Sequence, residues 1–265
     1  SGIGSLSIKN NRDLVIGTVN TLNGMTFTGD ASIDTVGTIS MSAKTIQKSG
    51  SSDSTLLLKA TVRIDLWHGS NQVIASSTAG TGKLNMIFWA ESDGGNASGT
   101  TLAGTYTTNG GHIWAGGGSS STTWNGLTVG SGASGGGTLN TNAIDTQGTW
   151  TTSGGSIWLA GNVGSGAGYD IFLGNGAVQA FNVGAGSVTL VGDYQASSST
   201  TTITSTGTLT ITPFGDTFTN GSNVARAFTW SGSGAPDFTG TNSISAVKIM
   251  SIANLGGLVI GKSTS

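Results

Sequence analysis

One short phrase keeps returning along this chain: a glycine, a variable position, then two apolar residues separated by one other. Gly37 leads Thr38-Ile39-Ser40-Met41, Gly82 leads Lys83-Leu84-Asn85-Met86, Gly111 leads His112-Ile113-Trp114-Ala115 and Gly155 leads Ser156-Ile157-Trp158-Leu159. Gly186 before Ser187-Val188-Thr189-Leu190, Gly207 before Thr208-Leu209-Thr210-Ile211, and Gly256-Gly257-Leu258-Val259-Ile260 continue the series. Successive leading glycines lie 45, 29, 44, 31, 21 and 49 residues apart, several of these close to one or two multiples of about 22. Each copy has the period of two of a strand with one buried face. Turn-rich stretches separate the copies, as at Ser119 to Asn125, Gly130 to Gly137 and Ser197 to Thr202.

Short strands and tight turns repeating every 20 to 25 residues or so predict an all-β parallel β-solenoid, whose coils stack about 4.8 Å apart. An antiparallel sandwich would call for hairpin loops of about two to five residues and gives no reason for one phrase to return in register. The solenoid reading places Ile39, Met41, Leu84, Met86, Ile113, Ile157, Leu159, Val188, Leu190, Leu209 and Ile211 in one continuous interior. A single body over 1–265 is expected, with 213–242, around Pro213 and Pro236, as an irregular loop or hairpin insertion because proline cannot donate within a ladder. A second irregular stretch runs from Lys48 to Thr55, and Ala246 to Leu255 fits a strand or a short turn of helix. Helix content should otherwise be close to nil.

Composition narrows the function classes. The chain has 265 residues, 46 of them glycine, no cysteine and only 8% charged residues. Glu91 is the sole glutamate, so glutamate- and lysine-rich amphipathic helices are excluded. With 35% hydrophobic residues and mean hydropathy +0.08, the chain is too apolar for a disordered linker. A net charge of -2 with ten scattered basic residues offers no concentrated basic surface for nucleic acid or an anionic membrane. No apolar run approaches the roughly 20 residues that span a bilayer, so membrane insertion is not expected. Without cysteine there is neither a disulfide framework nor a thiolate metal site.

Gly110-Gly111-His112-Ile113-Trp114-Ala115-Gly116-Gly117-Gly118 and Gly154-Gly155-Ser156-Ile157-Trp158-Leu159-Ala160-Gly161 resemble the coil phrases of filamentous haemagglutinin-like bacterial adhesins. Leu255-Gly256-Gly257-Leu258-Val259-Ile260-Gly261-Lys262 is similar to a phrase of the same surface proteins. The resemblance implies a right-handed parallel β-helix, two-partner or autotransporter secretion to the bacterial cell surface, and a role in adhesion. Neither proline follows an asparagine, so the asparagine-proline motifs of that family's secretion domain are missing. The resemblance therefore implies a shaft or more distal piece.

Catalytic chemistry has little to build on. His68 and His112 are the only histidines, and no His-x-x-x-His occurs. Asp145, Asp170, Asp193 and Asp216 follow one another at 25, 23 and 23 residues, a spacing that stacks carboxylates on consecutive coils. Such a row would invite a cation or glycosidase chemistry, but the differing local contexts favour turn-forming aspartates. Glu91 and Asp93, in Ala90-Glu91-Ser92-Asp93-Gly94-Gly95-Asn96, are read as a solvated turn. Arg63 and Asp65 alternate with Val62, Ile64 and Leu66 and should pair on the outer face. No catalytic residue, metal or cofactor is expected.

Tryptophan is the more informative type. Trp114 and Trp158 occupy the phrase column that holds Ser40, Asn85, Thr189 and Thr210 elsewhere, so the column points outward. Their 44-residue separation corresponds to about two coils, roughly 10 Å on one face. Trp124 and Trp150 extend the same candidate patch, whereas Trp67 and Trp89 sit in apolar runs and should be buried. Exposed, the patch would take a glycan or a protein; covered by a side hairpin, it is core. The strand-like ends, Ile3 to Ile8 and Leu258 to Lys262, show no polar cap, which fits a piece cut from a longer shaft or subunits meeting end to end.

The expected function is a non-catalytic, secreted adhesin shaft or binding module. Its partners would be a cell-surface protein, a glycan or further copies of itself. The alternatives are a filament subunit stacking end to end and a β-helix protein that binds or degrades polysaccharide.

Overall fold

Many strands in this chain bury every second side chain, and that alternation sets which face of each turns inward. The computed structural model describes residues 4–262 apart from 42, 67–72, 77–81, 96–97, 137–140, 165–167, 176, 194, 198–200, 217, 219–228, 232–234 and 238–249. The described residues are all-β and contain no helix. Three parallel stacks of strands form. The first runs Leu6–Asn10, Ala31–Thr35, Ser54–Ala60, Leu84–Trp89, Ile113–Trp124, Ile157–Asn162, Val188–Val191, Thr208–Thr212 and Gly257–Ile260. Between consecutive members of that stack as far as Thr208–Thr212 the chain passes through a second stack, which includes Thr38–Met41, Arg63–Leu66 and Thr100–Ala103, and then a third, which includes Thr45–Lys48, Thr105–Thr107 and Gln179–Gly184. This is the parallel β-solenoid that the repeated phrase predicts.

Corners between stacks need backbone that most residues resist. In Ile144–Thr151 the first half pairs with the second stack and the second half with the third. Gly148 makes the bend at φ 98°, and a Cβ there would lie 2.1 Å from the Gly104 carbonyl oxygen. The leading glycines of the phrase have a different cause. A Cβ on Gly111, Gly155, Gly186 or Gly207 would meet a carbonyl oxygen of the coil beneath at 2.2, 1.8, 2.0 and 2.4 Å. These glycines let successive corners stack at strand spacing.

The strand column that contains His112, Ser156 and Ser187, the residues after Gly111, Gly155 and Gly186, carries a second inter-coil device. Asp30 Oδ1 accepts the Thr55 N–H at 2.8 Å, and Asn85 Oδ1 accepts the His112 N–H at 3.0 Å. Further along the same column His112 Nδ1 accepts the Ser156 N–H at 2.9 Å, Ser156 Oγ the Ser187 N–H at 3.2 Å, and Ser187 Oγ the Thr208 N–H at 3.2 Å. Main-chain donors at the corner, which the ladder itself leaves over, are thus satisfied by the preceding coil.

All eleven residues expected in the interior are fully buried within one apolar cluster. Their register differs from the phrase alignment. Ile39 and Met41 belong to the second stack, and the residue facing Ile113 is Met86 rather than Leu84. Aromatic rings fill the middle of the interior: Phe88 to Tyr106 at 5.8 Å, Tyr106 to Trp150 at 4.7 Å and Trp150 to Phe181 at 5.2 Å between centroids. Trp150 is therefore core, not part of an outer patch, because it lies in the third stack on the inward side of its strand.

Coil length varies more than expected, although the strands stay in register. Ile113 pairs with Ile157 and Trp114 with Trp158, so 44 residues make one coil containing an insertion, not two coils. Antiparallel pairing among the described residues is confined to short excursions: Thr18–Val19 with Leu22–Phe27, Ile113–Trp124 with Leu127–Gly132, and Thr229–Ser231 with Ala235–Asp237. The last falls in the stretch expected to be irregular, most of which lies outside the described residues, as do Trp67 and His68. Met250–Ala253 is a strand on the third stack.

Candidate functional site

One column on the outer face of the first stack reads Ser7, Ser32, Leu57, Ile87, Trp114, Trp158, Thr189, Thr210 and Val259, each residue the strand partner of the next. Four consecutive coils therefore carry large apolar side chains on the side facing away from the core. Left bare, such a stripe is an exposed apolar patch. A side arm from the same strand covers most of it. Ile113–Trp124 leaves the stack after Gly116, turns at Asn125-Gly126, and returns as Leu127–Gly132. Asn125 and Gly126 both have positive φ, 47° and 78°, as the two-residue hairpin turn requires. The stretch Ser119 to Asn125, expected as a turn, is mostly strand.

Under the arm a second apolar cluster forms from Ile87, Trp89, Trp114 and Val129, with Leu57, Trp124, Leu127 and Trp158 packed against it. Trp89 is buried as expected, but on the outer face, where its Nε1 donates to the Gly118 carbonyl at 2.7 Å and Lys59 Nζ stands 4.9 Å from its ring. At the arm's tip, Asn125 Nδ2 lies 3.3 Å from His112 Nδ1, and Trp124 packs edge-on to His112 with centroids 5.5 Å apart. Burial, and secondarily the charge of Lys83, lowers the pKa of His112 from 6.5. The neutral ring with Nδ1 as acceptor is the form its contacts require.

The arm does not close the stripe completely. Between its open flank and the first stack runs a groove of about 330 Å³. Trp114 lies at its base, only 2% exposed. Half-buried Trp124 and Trp158 form a corner, with centroids 6.1 Å apart and planes 61° apart. Val191 and Phe214 continue the apolar lining, and Thr122, Thr123 and Ser131 supply hydroxyls. Among the described residues no ionisable side chain lines it. Three of the four tryptophans expected to act together thus meet here; Trp150 does not. Trp114 and Trp158 are one strand apart, not two. The signal that locates the arm is Trp124-Asn125-Gly126-Leu127, an asparagine-glycine turn between two β-prone runs.

The candidate acids are occupied with structural contacts, main-chain donors at Asp170 and Asp193 and side chains at Asp145 and Asp216. Asp170 accepts the Val163 and Asp193 N–H groups, each at 2.6 Å, and Asp193 accepts the Phe214 N–H at 2.8 Å. Asp145 accepts from Asn142 Nδ2 at 2.7 Å, and exposed Asp216 faces Lys262 at 3.2 Å. Glu91 corrects the expectation of a solvated turn. It is buried at φ 50°, and its two carboxylate oxygens accept the Ser98 N–H at 2.9 Å and the Gly135 N–H at 2.5 Å. It thereby ties the segment after the arm to the preceding coil; Asp93 is the exposed member of that pair. Arg63 and Asp65 pair at 3.3 Å as expected. Among the described residues no cluster of three histidine or acidic side chains could hold a metal ion.

Fold and site together define a β-solenoid with an arm-bordered aromatic groove on one outer face. Comparison with protein-family models, curated proteins and solved structures yields no match.

Proposed function

We propose that this chain is a non-catalytic section of a secreted bacterial surface adhesin, and that it works by binding a cell-surface partner through the outer face of its first stack. The observation that carries the reading is the groove, where Trp114, Trp124 and Trp158 converge at a surface otherwise rich in hydroxyls. Large aromatics on an outer face are the residue types that anchor ligands and partners. Arg63, Asp65 and the few other charged groups can steer little. Asp170, Asp193 and His112, side chains suited to acid-base work, hold neighbouring coils together by accepting main-chain hydrogen bonds.

Beads coated with the purified chain test this on bacterial and epithelial cell surfaces. Adhesion to at least one surface that drops severalfold with Trp158→Ala supports the proposal. Adhesion to none, or adhesion that the variant leaves unchanged, overturns it.

A further inference from the structure

We propose that the groove recognises a neutral, extended oligosaccharide of pyranose units; this rests on the binding role proposed above and names its ligand. The first argument is shape. From Trp114 through Trp158 and Val191 to Phe214 the lining crosses successive coils, because Trp114 pairs with Trp158, Ala160 with Val191, and Phe214 follows the next strand, Thr208–Thr212. Three steps at strand spacing make roughly 14 Å, so the groove is long relative to its volume and runs along the solenoid axis. It suits a linear chain of small rings lying parallel to that axis. At about 330 Å³ it falls at the lower end of small-molecule sites. A specific protein interface needs about 800 Å² from each partner, far more than such a groove provides.

Chemistry gives the second argument. The π faces of tryptophan are negatively polarised and attract the slightly positive C–H groups on one side of a pyranose ring. Trp124 and Trp158, meeting at 61°, offer one ring to stack on and another to meet its edge. Hydroxyls of Thr122, Thr123 and Ser131 lie on the arm side of the same groove, where they can donate to and accept from sugar hydroxyls. A purely aliphatic ligand would leave those hydroxyls facing apolar surface, which is unfavourable. With no ionisable group among the described residues of the lining, a sulfated or uronic acid chain would find no counter-charge there, so the sugars should be uncharged.

The test titrates the whole chain with tetrasaccharides of glucose, xylose, mannose, galactose and N-acetylglucosamine, with hyaluronan and a sulfated glycan as anionic probes and oleate as the aliphatic one. Tryptophan fluorescence and indole N–H shifts report occupancy. Saturable binding of at least one neutral tetrasaccharide, weakened about tenfold or more by Trp158→Ala, supports the inference. Thr122→Trp, placed at an exposed position on the arm, should block the same binding without removing any packed side chain, and covers the case in which Trp158→Ala unfolds the protein. Tighter binding of oleate or an anionic glycan than of every neutral probe overturns the inference. So does adhesion that needs Trp158 yet resists neutral oligosaccharides and periodate treatment of the target surface, although that outcome leaves the adhesive role standing. Loss of the adhesive role itself would show as no Trp158-dependent adhesion to any surface.

Discussion

Gly155 and Gly154 are neighbours that are needed for opposite reasons, and alanine at each separates close approach from backbone conformation. A Cβ on Gly155 would sit 1.8 Å from the Gly111 carbonyl oxygen, so two coils must part. Gly154 has open space around it but φ 110°. Gly155→Ala is therefore expected to destabilise by about 3 kcal/mol or more, and Gly154→Ala by roughly 1 to 2 kcal/mol from the left-handed backbone alone; urea unfolding of the pair checks the order. His112 makes a second prediction. Its pKa is lowered in the fold, by burial first, so its contribution is complete above the ordinary value of 6.5 and is lost as pH falls toward the folded value. Protonation removes the acceptor that Ser156 N–H needs. The melting temperature should thus fall between pH 7 and pH 5, and His112→Asn, which copies Asn85 one coil earlier, should lessen the fall. An equal fall in the variant would assign the acid sensitivity elsewhere. The buried column was legible in the sequence because alternation needs only local pattern. Its register was not: Gly82 precedes Leu84 by two residues, while the residue aligned with Gly111 is Leu84 itself, a shift that preserves the period and hides the offset.

Among the elements, the arm decides whether the outer stripe is core or surface. Trp89 Nε1 fixes it where it leaves the stack, through the Gly118 carbonyl at 2.7 Å. Trp89→Phe keeps most of the apolar contact and removes that bond to half-buried Gly118, at a cost of about 1 kcal/mol. Limited proteolysis should then cut within 117–132 faster than in the parent, while far-ultraviolet circular dichroism stays unchanged; cleavage elsewhere first would mean that Trp89 supports the coil and not the arm. From sequence, Ser119 to Asn125 is a turn, because its serines and asparagine suit turn geometry. In the structure Ser119 to Trp124 form one strand of the two-stranded arm, where the exposed hydroxyl side chains suit a strand with little to bury. Burial of Trp114 could not be read from its own phrase, since what covers it arrives from residues 116–132.

At the scale of the whole molecule each coil touches only its neighbours, so stability is a sum of coil and interface contributions. Leu6, Ile8, Leu14 and Met25 in the first coils are only partly buried, whereas Ile113, Ile157, Tyr106 and Trp150 in the middle are almost fully enclosed. Amide hydrogen exchange should be slowest for the strands around Ile113 and Ile157 and quicken toward Leu6–Asn10; a uniform rate along the first stack would indicate one all-or-none unit. The coil count was not legible from spacing, since a 44-residue interval reads as two plain coils and is in fact one coil with an arm. Strand partners in the first stack are 25, 25, 30, 27, 44, 31, 21 and 49 residues apart, and none of the differences disturbs the pairing. Extra residues leave at a corner and come back to the same rung, and closing a longer loop adds only about 0.6 kcal/mol per doubling of its length. The solenoid is in this sense a rack with fixed shelves. A foreign peptide grafted between Asn125 and Gly126 would be carried at a chosen height along the rod, and everything above and below it would keep its place.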